Sequence, residues 1–235
     1  METPARPENR LLGAFPRDAY GTIEPLLELH SLEHGIVLHK PGETITDLYF
    51  PLGCLISVTV TMRDDKTVET GVVGRREVVG INAVMSGHAT TQTEYVVQIP
   101  GEAVRVPADT IREEFDRNRG LRAVLLKYTQ ALIAQISQNV ACNRAHSLEQ
   151  RYARWLLETR DRVASDDLQL THEFISEMLG VRRAGVTEVA GKFERQGIIK
   201  TRRGHTVVVN APAIEAASCE CYEVVKAEYD RLLPA

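Results

Sequence analysis

The sequence predicts an α+β chain, and three observations carry that expectation. Short β-rich runs punctuated by Gly and Pro fill residues 36–107, one long helical pattern covers 121–145, and two short helical patterns followed by a basic ribbon occupy 170–210. With 235 residues the chain has room for two modest domains, each with its own core.

The first 30 residues read as a polar leader and short amphipathic helix, around Asn9 to Leu12 and Ala19 to Leu29, broken by Pro16 and Pro25. The leader METPARPENR lacks the apolar centre of a signal peptide, and no apolar run approaches a membrane span. A cytoplasmic chain with no membrane partner is expected. From Ile36 the rhythm changes to IVLHKPGE, ITDLYFPLG, CLISVTVTM, TVETGVVG, EYVVQIPG and EAVRVP. Short strands at such even spacing belong to a sandwich or a rolled barrel, with Asp64 and Asp65 in a hairpin turn.

Pro107 opens a short helix, PADTIREEFDRN, whose early acids suit the helix dipole. After a break at Asn118 to Gly120, the long helix carries Leu121, Val124, Leu125, Tyr128, Leu132, Gln135, Ile136, Asn139 and Val140 on one stripe. That stripe is wider than a coiled-coil seam requires. His146 and Ser147 then begin LEQRYARWLLETRDRV, with Tyr152, Trp155, Leu156 and Val163 inward.

The next stretch is the most informative. Thr171 is a helix cap, and Phe174, Ile175, Met178 and Leu179 follow a helical rhythm that stops at Gly180. Val186, Val189, Ala190 and Phe193 then mark the buried face of a second helix, which Gly197 ends. Two short helices joined at a Gly turn form a helix-turn-helix. Ile198, Ile199 and Thr206 to Val209 favour a hairpin with Arg202, Arg203 and Gly204 at its tip, a wing. The last stretch turns at Pro212 and runs as one helix, IEAASCECYEVVKAEYDRLL, expected to cap this domain.

Charge supports the reading. The whole chain is acidic at −4, yet from Arg182 to Arg203 seven basic side chains face two acidic ones, a net of +5. Residues 1–118 hold 11 Lys and Arg against 18 Asp and Glu, whereas 119–145 hold 4 against none. A local basic field of this kind rewards contact with a phosphate backbone through counterion release.

Other chemistry is poorly represented. Cys54, Cys142, Cys219 and Cys221 are scattered, with no CxxC pair and no spacing that suggests a zinc or cluster site. Cys219 and Cys221, two apart on one helix, should face different ways. Reduced, buried thiols are expected, with no metal and no other cofactor. His30, His34, His39 and His88 show no helical ligand spacing and read as surface or structural side chains. No P-loop, GxGxxG, HExxH or nucleophile elbow is present, so no enzyme is expected.

The order of small and apolar positions in LTHEFISEMLGVRRAGVTEVAGKFERQGII resembles the winged helix-turn-helix of the Crp/Fnr superfamily, bacterial transcription regulators that join a sensory β-roll to a DNA-binding domain. The upstream run, with PGE at Pro41 to Glu43 and PLGCLISV at Pro51 to Val58, resembles that superfamily's cupin-like β-roll. The resemblance implies a sensor roll with N-terminal helices over residues 1–118, a dimerisation helix over 119–145 and a winged helix-turn-helix DNA-binding domain over 146–235. It also implies a homodimer through Leu121, Leu125, Tyr128, Leu132, Gln135, Ile136 and Asn139, with Gln135 and Asn139 fixing the register. The alternative for this stripe is the buried helix of a monomer.

In the superfamily a segment between two late strands cradles a cyclic nucleotide, using a Glu after a Gly and an Arg before a small hydroxyl residue. Here Gly80 precedes Ile81 and Asn82, and Gln92 with Thr93 stands where Arg and a hydroxyl residue would be. A buried cyclic phosphate needs a charged fork and Gln92 supplies a neutral amide, so tight binding of cyclic AMP is not expected. Gly80, Ile81, Asn82, Gln92, Thr93 and Tyr128 are the candidate pocket for an unidentified small-molecule effector. Ile81 and Val84 either line it or face the core, and Arg75 and Arg76 either hold another anion or form an exposed pair. The branch that holds an iron-sulfur cluster uses cysteines ahead of the roll, where this chain has none before Cys54.

By the same resemblance the second helix enters the major groove with its start on base edges. Arg183, Ala184, Thr187 and Glu188 face outward there, beside Arg182. Arg183 matches a family Arg that reads guanine, whereas Ala184 replaces a frequent acid and Glu188 a frequent second Arg. Glu188 either accepts from cytosine N4 or pairs with Arg183 or Lys192. Thr171, Lys192, Arg202 and Arg203 are the candidate phosphate contacts. The implied function is a dimeric, sequence-specific transcription regulator whose roll senses a signal other than cyclic AMP and repositions the DNA-binding domains. Its implied partners are double-stranded DNA bearing a palindromic operator, a second copy of itself, an effector and RNA polymerase. The competing readings are a ligand-responsive roll acting on a partner protein and a cupin-type enzyme.

Overall fold

The computed structural model of the protein describes residues 8–65, 67–86 and 90–233. Most of the polar leader and His88 lie outside the described residues. Two short helices, α1 (Arg10–Gly13) and α2 (Arg17–Ile23), lead into a turn of 3-10 helix, Glu24–Leu26. The expected break at Pro25 is there, where the ring removes a backbone donor, but beyond it the chain opens into strand β1 (Glu28–Leu32) and not into further helix to Leu29.

The expected run of strands follows: β2 (Val37–His39), β3 (Asp47–Pro51), β4 (Leu55–Thr61), β5 (Thr67–Val73), β6 (Glu94–Ile99) and β7 (Gly101–Pro107), with α3 (Asn82–Ser86) between β5 and β6. They form two antiparallel sheets, in the order β1-β7-β3 and β2-β6-β4-β5. Between them Leu32, Cys54, Ile56, Val73, Val79, Tyr95, Val97 and Ala103 form the inside of the roll. Alternation decides the faces: along β6, Tyr95, Val97 and Ile99 are buried while Glu94, Val96 and Gln98 are half-buried.

Helix α4 (Ala108–Arg117) leads to the long α5 (Arg119–Ala145), capped by Asn118, whose side chain accepts from the amides of Gly120 and Leu121. A capping box between Ser147 and Gln150 starts α6 (Leu148–Val163). After β8 (Asp167–Leu168) come α7 (His172–Leu179), α8 (Arg183–Arg195), β9 (Ile199–Arg202) and β10 (His205–Val208). Helices α9 (Ala211–Ala217) and α10 (Cys221–Leu232) finish the chain.

The second domain is docked on the roll, not tethered beside it. Leu55, Val72 and Ile99 of the roll share a hydrophobic core with Trp155, Leu157, Ile175, Met178, Val186 and Phe193. Arg162, fully buried on α6, reaches Glu77 after β5 at 3.0 Å and Gln135 on α5 at 3.1 Å. Gly74 makes that approach possible, because a Cβ there would stand 2.3 Å from the Cβ of Arg162.

Three expectations need correction. Leu121, Leu125, Tyr128 and Gln135 do not face a partner, since they are buried in the chain's own interior. Leu132 packs against the same core. Gln135 accepts from the Tyr229 hydroxyl at 2.8 Å as well as from Arg162, and Asn139 bonds the Thr70 carbonyl and Arg154. These amides therefore join parts of one chain, and of the seven expected interface residues Ile136 is the exposed one. The large apolar side chains that α5 leaves uncovered are Leu126, Ile133, Ile136 and Val140, of which Ile136 and Val140 belong to the expected stripe and Leu126 and Ile133 do not.

The C-terminal stretch is two helices: α9 covers the second domain through Ile214, as expected of the tail, whereas α10 gives that core only Tyr222 and lies mainly elsewhere. Val225, Tyr229, Leu232 and Leu233 join the core formed by α5 and the roll's helices, with the Arg76 guanidinium 4.8 Å from the Tyr229 ring centre.

The break between α9 and α10 also alters the cysteines. Cys219 precedes α10 and Cys221 begins it, so the two thiols point the same way, toward Cys142 on α5. The expectation of scattered thiols with no metal-like grouping is overturned: Cys142, His146, Cys219 and Cys221 place their ligand atoms within 4.8 Å of one another.

Candidate nucleic-acid interface

Thr171 caps α7 by accepting from the Phe174 amide at 3.1 Å. The helix ends at Gly180 in the left-handed region, φ 64°, a conformation that suits glycine, and the Val181 amide returns to the Ser176 carbonyl. This tight stop sets the short turn before α8. Val186, Val189, Ala190 and Phe193 then bury one side of α8, and Phe193 meets Tyr152 of α6 edge to face.

With that side buried, Arg182, Arg183, Ala184, Thr187 and Glu188 are all exposed at the start of α8. Arg183 pairs with Glu173 of α7 at 3.2 Å, both side chains well exposed, and Lys192 pairs with Glu149 of α6 at 2.6 Å. The two cations offered as partners for Glu188 are thus held by other acids. Exposed pairs of this kind contribute at most about 1 kcal/mol, so each cation is readily released to a phosphate or a base. Thr187 meets His172 Nδ1 at 3.2 Å, and burial followed by the Arg183 charge lowers the His172 pKa.

The wing is held to α8 by Glu194, which accepts from both the amide and the hydroxyl of Thr201 at 2.6 Å, bonds that lower its pKa. Arg202 pairs with His205 across the ribbon, and Gly204 turns it with φ 75°. Arg202 and Arg203 are exposed. A third strand, β8, was missed in the sequence because two residues carry no period. It pairs with β10, and Asp167 meets His205 at 2.9 Å. The acids Glu149, Glu173 and Glu194 were missed too. Lys192 and Glu149 are 43 residues apart, and no local spacing joins them.

Among the described residues, the expected effector set does not line one shared pocket. Ile81 and Tyr128 are core residues, with the Tyr128 hydroxyl donated to the Val78 carbonyl at 3.1 Å. The space at Gly80 is filled by Asp47, Ile45 and His39. Asn82 begins α3, Gln92 lies on the surface, and Thr93 is bonded to Thr91. Val84 likewise faces the core. Arg76 is buried beside Glu77, and both Arg75 and Arg76 line a cavity of about 630 Å³ with Arg10, Asp161, Lys226 and Asp230.

Comparisons with known proteins accord with this arrangement. Residues 150–217 match the Crp-like helix-turn-helix domain family. The global nitrogen regulator of Nostoc sp. (strain PCC 7120) is 20% identical over 205 residues, covering 83% of this chain and 91% of that protein. The fumarate and nitrate reduction regulatory protein of Salmonella typhimurium is 24% identical over 200 residues, covering 79% and 76%. In fold, the chain is similar to FixK2 from Bradyrhizobium japonicum, with a TM-score of 0.70 at 14% identity over 82% of this chain and 98% of that one. It is also similar to a Crp/Fnr-family regulator from Eubacterium rectale, with a TM-score of 0.66 at 15% identity over 88% and 96%.

Proposed function

Since the chain belongs to the Crp/Fnr superfamily of DNA-binding transcription regulators, we propose that two copies joined along α5 present the start of α8 to successive major grooves of a palindromic operator. The observation that carries this reading is the exposed row Arg182, Arg183, Ala184, Thr187 and Glu188 on a helix whose other side is buried. Arg183 has the planar fork that fits guanine O6 and N7, and Glu188 is free of Arg183 and Lys192 to accept from cytosine N4. Thr171, Lys192, Arg202 and Arg203 supply phosphate contacts.

The partner-facing seam is Leu126, Ile133, Ile136 and Val140, where positions 126, 133 and 140 keep a seven-residue repeat. Residues 1–118, 119–145 and 146–235 act as sensor, connector and DNA-binding domain. An effector other than cyclic AMP shifts the balance between two arrangements of the connector, through a difference in affinity for them. RNA polymerase is the further partner if the regulator activates. Among the described residues no helix is long and apolar enough to cross a membrane, which suits work on DNA in the cytoplasm.

Selection of bound duplexes from a random pool tests the proposal. A palindrome with half-sites about one helical turn apart is the expected result. Enrichment of a single unrepeated site, or of none, would refute it.

A further inference from the structure

Four side chains that the DNA-binding reading does not use meet where α5 ends. Cys142 lies in the helix's last turn, and His146 caps that turn, its backbone amide donating to the Cys142 carbonyl. Cys219 and Cys221 come from the junction of α9 and α10. Cys142 Sγ lies 3.5 Å from Cys219 Sγ, Cys221 Sγ lies 3.5 Å from His146 Nδ1, and all four ligand atoms fall within 4.8 Å of one another. In a tetrahedron with the usual zinc–sulfur and zinc–nitrogen bond lengths, neighbouring ligand atoms stand about 3.5–3.8 Å apart. A cluster of several irons would hold its four protein ligands further apart, so the spacing fits a single ion.

The surroundings are those of a built site. His146 Nε2, the nitrogen turned away from the thiols, meets Glu220 Oε2 at 3.2 Å, so a carboxylate orients the ring and leaves Nδ1 as the ligand. Gln138 Nε2 donates to Cys221 Sγ at 3.1 Å. The three thiols are buried while the His146 side chain keeps 16% exposure, a path by which an ion enters.

We infer that Cys142, His146, Cys219 and Cys221 form a Cys₃His site for one thiophilic divalent cation, with Zn²⁺ the best fit to the donors and their spacing. Four protein ligands close the coordination shell, so the ion is structural and performs no hydrolysis. It fastens the last turn of α5, immediately before α6 begins, to the segment that leads into α10. Binding releases the thiol protons, and the binding energy appears as stability of the folded chain.

The test uses the full chain, reduced and freed of metal by a chelator, and does not depend on DNA binding. Titration with Co²⁺ alone is expected to saturate at one equivalent per chain, with thiolate charge-transfer and tetrahedral ligand-field absorption, and one equivalent of Zn²⁺ should bleach it and raise Tm. Cys142→Ser and His146→Ala should abolish the tetrahedral spectrum, Glu220→Gln should weaken affinity about 10- to 100-fold, and Cys54→Ala should leave the spectrum unchanged. The wild-type stoichiometry stands even where a variant fails to fold. Failure of the reduced wild-type chain to bind Co²⁺, a full spectrum in Cys142→Ser, or a metal-free chain carrying a Cys142–Cys219 disulfide when freshly isolated would each overturn the assignment.

Discussion

Arg162 on α6 and Glu77 on the turn after β5 form an ion pair of 3.0 Å in which neither side chain reaches solvent. Glu77 also accepts from the Gly74 amide at 2.6 Å and faces Arg76, while Arg162 donates to Gln135 and to the Glu158 carbonyl. One charged cluster thus joins the roll, the long helix and the first helix of the DNA-binding domain. The neighbouring acids keep the Arg162 guanidinium charged despite its burial, raising its pKa further.

Removing one member strands the others. Glu77→Ala should destabilise the chain by about 3–5 kcal/mol, because it leaves Arg162 charged in a dry interior. Pairing it with Arg162→Met should recover a large part of that loss. Urea unfolding of the two single variants and the double one measures both values, and additive losses would show that the pair is not coupled.

A second contact across the same boundary responds to pH. The indole of Trp155 donates to Glu69 at 2.9 Å, and Ser57 donates to the same carboxylate. Burial pushes the Glu69 pKa up to about 7, with these bonds opposing it. The folded chain then holds the proton more tightly than the unfolded one, so this group favours folding fully below pH 4.5. Its contribution falls as pH rises from there to about 7 and is flat above. Trp155 is the one tryptophan of the chain, so its fluorescence should titrate near pH 7 and lose that transition in Glu69→Gln.

The two faces of α5 should respond differently to charge. Ile133→Glu or Val140→Glu should shift sedimentation from dimer to monomer with the fold retained, since both side chains are solvent-facing in the single chain. Leu125→Glu should instead unfold it, because the carboxylate would be buried without a partner. A dimer that survives both exposed substitutions would remove α5 from the interface.

On DNA, Arg183→Ala should lose about 1–3 kcal/mol on the selected operator and little on random duplex. Arg203→Ala should weaken both alike and reduce the salt slope by about 1. Equal losses on both duplexes for Arg183→Ala, measured across a salt series, would assign it to phosphate and not to a base.

The exposed start of α8 was legible because it is written in local pattern. Thr171, Gly180 and the apolar series ending at Phe193 leave little choice about which side of α8 is buried, so Arg183 and Thr187 had to face outward. The faces of α5 were not legible in the same way. Its apolar positions do not say which are met by the roll and α10 and which stay exposed. Leu125 and Ile133 are equally apolar in sequence and opposite in exposure.

By itself, then, the sequence determined the order and kind of nearly every element, the winged helix-turn-helix and the outward basic edge, because caps, glycine stops and periodicity act over a few residues. Only the tertiary structure decided that Gln135 and Asn139 bond within the chain, that Arg162 meets Glu77, and that Cys142 and His146 meet Cys219 and Cys221. Those partners lie 15 to 94 residues apart along the chain, and packing brings them together where no local rule connects them.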